Sequence, residues 1–112
     1  MRKASEQAAM IDSVRMALLN IGAMEQESWR IYGFVIDTKY GFLEISLSPD
    51  MIRRGEPVKM TIFTRFKESR RDNLLGGHTG KWNWHGQDRE GAKWVVSQIA
   101  DLRPKIVETS IF

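Results

Sequence analysis

Two stretches, Phe42 to Ser48 (FLEISLS) and Val58 to Lys67 (VKMTIFTRFK), alternate apolar and polar side chains with a period of two. Successive side chains of a strand point to opposite sides, so this pattern specifies strands with one face in a core and the other in water. In the first stretch Leu43, Ile45 and Leu47 face in, while Glu44, Ser46 and Ser48 face out. In the second, Val58, Met60, Ile62 and Phe66 share one side, and Lys59, Thr61, Phe63, Arg65 and Lys67 share the other. Trp29 to Asp37 (WRIYGFVID) is β-branched and aromatic, and its apolar run from Ile31 to Ile36 predicts a central strand covered on both faces. Thr38-Lys39-Tyr40-Gly41 is a turn, and Ser48-Pro49-Asp50 with Arg54-Gly55-Glu56-Pro57 brackets an exposed connection. Lys81 to His85 reads as a short fourth strand that sends Trp82 and Trp84 to the core side. Trp29 and Trp94 are likewise expected in the core.

Helical spacing flanks this region. Ala4, Ala8, Ile11, Val14, Leu18 and Ile21 recur every three or four residues, with Met10, Ala17 and Met24 widening the stripe. Gly22 is placed to end that helix, because glycine enters the left-handed conformation of a C-terminal cap without a side-chain clash. Asp88 is placed to cap a last helix from Arg89 to about Arg103, with Ala92, Val95, Ile99 and Leu102 inward and Pro104 as its stop. In the tail, Val107, Thr109 and Ile111 alternate like a strand, and a short helix fits equally well. The expectation is one α+β domain over residues 1–112: an N-terminal helix, an antiparallel β-meander of about four strands, a C-terminal helix, and a last short strand as an option.

Several chemistries are excluded or disfavoured. The chain has no cysteine, which removes disulfides, thiolate chemistry and cysteine-ligated zinc. Glu6, Gln7, Asp12, Ser13 and Arg15 interrupt any signal-peptide core, and no run approaches the ~18 apolar residues of a membrane span, so a cytoplasmic location is expected. Gly76-Gly77-His78-Thr79-Gly80-Lys81 lacks the spacing, the hydroxyl after lysine and the following helix of a phosphate loop. His78 and His85, even with Asp72, Asp88 and Glu90 nearby, match no zinc spacing. No nucleophile elbow or helical metal-binding pair is present. No cofactor is expected.

What remains points to binding. Net charge is only +3, yet Arg53 to Arg71 holds seven basic residues against two acidic ones. A basic cluster of this kind attracts nucleic acid or an acidic protein surface. If the last two strands pair, Lys59, Phe63, Arg65 and Lys67 lie beside Lys81, Asn83 and His85, and the polar loop from Glu68 to Gly80 adds Arg70 and Arg71. The first expectation is therefore a non-enzymatic interaction protein that docks on an acidic protein or nucleoprotein partner through this face and loop. Adaptors and inhibitors carried by phages or mobile elements are the comparable class. The second is a single-stranded DNA- or RNA-binding protein. Lys39-Tyr40-Gly41-Phe42-Leu43-Glu44-Ile45 resembles, over seven residues, the aromatic strand motif of RNA-recognition and cold-shock domains. It lacks the glycine between Lys39 and Tyr40 and has Ile45 in place of an aromatic residue, so Gly41 is read as serving a hairpin turn. The resemblance implies stacking of bases on Tyr40 and Phe42, with Phe63 beside them. A small enzyme is the third reading. A homodimer through the N-terminal helix is a further option.

Overall fold

The computed structural model describes residues 2–26, 32–39, 41–67 and 82–104, with only the backbone at Lys67. The expectations for Trp29, Tyr40, the Glu68 to Lys81 segment and the tail beyond Pro104 lie outside the described residues. The elements run α1 (Arg2–Asn20), β1 (Met24–Gln26), β2 (Tyr32–Thr38), β3 (Gly41–Pro49), β4 (Met60–Lys67), β5 (Trp84–Gly86) and α2 (Arg89–Ala100). Among the described residues the sheet has five strands in the order β1-β2-β3-β4-β5, each antiparallel to its neighbours. The α+β architecture expected from the patterning is thus present, with one strand more than the meander of four.

The extra strand follows from how α1 ends. Gly22 has φ 93°, and its N–H bonds the Leu19 carbonyl while the Ala23 N–H bonds that of Leu18. This paired arrangement satisfies the last helical carbonyls and turns the chain sharply. Met24, placed by spacing on the helix stripe, therefore stands in β1 opposite Val35 and is 60% exposed. The buried face of α1 is Gln7, Met10, Ile11, Val14 and Leu18, whereas Ala4 and Ala8 are exposed. The helix is rotated so that Gln7 points inward, where its Nε2 donates to the carbonyls of Asp50 (2.7 Å) and Lys59 (2.9 Å). A buried amide is tolerated because both bonds are made.

Both helices pack on one face of the sheet. Phe34 and Ile36 of β2, Leu43, Ile45 and Leu47 of β3, and Met60 and Ile62 of β4 join the α1 stripe and Ala92, Val95, Val96 and Ile99 of α2 in one core. Each such aliphatic side chain taken out of water contributes about 1.5–3 kcal/mol before entropy is counted. Trp82 and Trp84 are half-buried against this core, as alternation predicts, and the Trp82 ring meets Phe66 edge-on with centroids 5.1 Å apart. Gly91 of α2 faces the Trp84 indole so closely that a Cβ would lie 2.9 Å from Nε1. Asp88 caps α2 as expected, accepting the Glu90 N–H.

Three further expectations are corrected. Trp94 is 62% exposed, because the inward stripe at 92, 95, 96 and 99 leaves position 94 on the outer side of α2. The strand expected to be central, β2, is second from the edge. Its Val35 is buried but stands apart from the core, flanked across the sheet by Met24 and Glu44. The helix α2 ends at Ala100 rather than near Arg103; Leu102 lies past it yet packs against the core as expected, and its carbonyl accepts the Lys39 N–H.

Candidate interaction surface

Antiparallel register brings the outward side chains into rows across the face opposite the helices. One row reads Met24, Val35, Glu44, Arg65; the next reads Gln26, Gly33, Ser46, Phe63; a third reads Ser48, Thr61, His85. Phe63 is 51% exposed, and Met24 is its apolar counterpart at the other edge. The strands present these residues because the same alternation that buries Met60 and Ile62 must turn Thr61, Phe63 and Arg65 away.

Four of the residues expected to bind, Lys59, Phe63, Arg65 and His85, come together on this face. Phe63 and Arg65 follow from the β4 alternation and His85 from its pairing with Thr61. Lys59 directly precedes β4, two residues before Thr61 and so in the same phase of the alternation. Lys67 stands opposite Phe42 at the far end of β4. Arg70, Arg71 and Lys81 lie outside the described residues. Asn83 is used differently. The strand β5 begins at Trp84, and the Asn83 Oδ1 accepts the Thr64 N–H at 2.7 Å and the Thr64 hydroxyl at 3.2 Å. Asn83 therefore continues the ladder beyond β5 with a side-chain acceptor, and its amide oxygen is committed to a buried threonine.

The charge on the face is mixed. Arg65 stands opposite Glu44. Asp50, at the end of β3, holds two neighbours: His85 Nε2 lies 2.5 Å from Oδ2, and the Thr61 hydroxyl donates to Oδ1 at 3.2 Å. The His85 hydrogen bond holds the Asp50 carboxyl below the usual carboxylate range. Partial burial opposes this, while the charges of His85 and Lys59 and the Thr61 hydroxyl reinforce it. A histidine beside an aspartate and hydroxyls is chemically suggestive. Here, however, both carboxylate oxygens are occupied and the imidazole is half exposed. The arrangement ties β5 to the connection after β3. Among the described residues no cluster of His, Asp and Glu is arranged to hold a metal ion, and no helix is long and apolar enough to cross a membrane.

Sequence reasoning missed Met24 and Asp50 as parts of this face. Both sit at strand ends, where their neighbours come from distant parts of the chain. Comparison with protein-family models, curated proteins and solved structures gives no match, so the surface is read from its own geometry.

Proposed function

We propose that this chain is a non-enzymatic interaction protein that docks a macromolecular partner on the sheet face that no described helix covers. The observation that carries this reading is the placement of both described helices on one face, leaving Phe63 51% exposed on the other with Lys59, Arg65 and His85 around it. An exposed aromatic ringed by polar and charged groups has the composition of an interface centre, where aromatic side chains and arginine are enriched. The interspersed Glu44 and Asp50 favour a protein surface over a phosphate backbone, because each carboxylate repels phosphate and offsets a cation that would otherwise neutralise one.

The apolar stripe of α1 is occupied by the chain's own sheet, which leaves the sheet face as the larger unpartnered surface among the described residues. The test is recovery of a partner on the tagged chain, with and without nuclease, by the native protein and by a Phe63→Ala, Arg65→Glu variant. A nuclease-resistant protein partner retained by the native chain and lost by the variant supports the reading. Equal recovery by both refutes it, as does a partner that disappears with nuclease.

A further inference from the structure

A second surface stands apart from the sheet face. The connection from Asp50 to Lys59 folds back on the start of α1, and together they form a groove of about 580 Å³ lined by Arg2, Lys3, Ala4, Ile52, Arg53 and Arg54. The groove is built rather than incidental. Lys3 Nζ donates to the carbonyls of Arg53 (3.0 Å) and Glu56 (2.8 Å), and one turn further along the helix Gln7 holds Asp50 and Lys59. Gly55, at φ 80°, closes the turn between them. The lining is mostly carbon, from Ala4, a 39% exposed Ile52 and the arginine stems; four of its six described residues are cationic and none is a carboxylate. Arg2, Arg53 and Arg54 make no ion pair with any described carboxylate.

An aliphatic floor with a cationic rim is complementary to a segment that carries an aliphatic side chain between carboxylates. The guanidinium forks suit carboxylates two bonds at a time, and their stems cover the apolar residue. Nucleic acid is a poorer fit, since its bases stack on aromatic rings and no described aromatic residue lines this groove. We infer that the groove between the start of α1 and the Ile52–Arg54 segment is a docking site for an acidic peptide segment of a protein partner, with a leucine-like side chain seated against Ile52 and Ala4. The site shares no residue with the sheet face, so each is tested without the other.

The test is fluorescence anisotropy of the full chain with a short labelled peptide of Asp, Glu and Leu. The same peptide with Ser for each Leu, and an oligothymidylate of equal charge, are the comparisons. Saturable binding is expected at low salt. It weakens at least about tenfold in the serine peptide, in Arg53→Glu, Arg54→Glu and in Ile52→Ser, and stays within about twofold in Phe63→Ala. The three groove positions are exposed, so circular dichroism of the variants is expected to match the native chain. Absence of saturable binding overturns the inference. So does equal affinity for the serine peptide or the oligothymidylate, or indifference to the groove variants.

Discussion

Gln7 connects the fold to both surfaces, and its replacement is the sharpest test of how they are held. The residue is 8% exposed, and its amide donates to the carbonyls of Asp50 and Lys59. The Lys59 carbonyl also accepts the Asp50 N–H, whereas Gln7 is the described donor to the Asp50 carbonyl. Gln7→Ala thus leaves one partly buried carbonyl without its donor, a penalty of about 1–3 kcal/mol, and removes a second bond worth roughly 0.5–1.5 kcal/mol. The expected loss is about 2–4 kcal/mol of a total in the usual ~5–15 kcal/mol range. In urea, with a slope of about 2 kcal/mol per molar, the midpoint falls by about 1–2 M. Gln7→Leu keeps the volume yet is expected to lose about as much, which separates lost hydrogen bonding from lost packing. Exposed Gln26→Ala is the control and stays within about 0.5 kcal/mol. If Gln7→Ala and Gln7→Leu unfold within that same margin of the native chain, the pinning role is wrong.

Three other outcomes follow from particular contacts. Gly→Ala inside a helix ordinarily adds up to about 1 kcal/mol, but Gly91→Ala is expected to lower the melting temperature because the new methyl meets the Trp84 indole; a raised melting temperature would show that the ring yields freely. Because the Asp50 carboxyl is held low in the folded state, the unfolded chain binds more protons there in acid. Its contribution is present above the ordinary carboxylate range and is lost as pH falls through the folded value. Stability measured from about pH 3 to 5 is therefore expected to climb less steeply in Asp50→Asn than in the native chain, and parallel profiles would count against the His85 contact. Trp94→Ala, on the exposed side of α2, is expected to change stability by no more than about 0.5 kcal/mol, and a loss of several kcal/mol would place that ring in the core after all.

The period-two stretches around Leu43 to Leu47 and Met60 to Phe66 were legible because burial on one face repeats at every second residue. The α2 cap was legible because Asp88 acts on a neighbour two residues away. The misreadings have a common origin in distant partners or short elements. Met24–Gln26 is too short to show a period, and only pairing with β2 makes it a strand. Gln7 faces inward because of carbonyls 43 and 52 residues away. Asn83 reads as an outward strand residue until Thr64 claims its amide oxygen. Trp94 shows that aromatic character does not override helical angle. The basic segment from Arg53 was visible as charge, but its companions Arg2 and Lys3 join it only through the fold.

The central claim, that the sheet face opposite the helices is where a partner docks, is most directly tested by titrating the recovered partner against single variants on the two sides of the molecule. Phe63→Ala is expected to weaken binding at least about tenfold while Trp94→Ala leaves it within about twofold. Full affinity in Phe63→Ala, with loss in Trp94→Ala, would contradict the account and move the interface to the helical side.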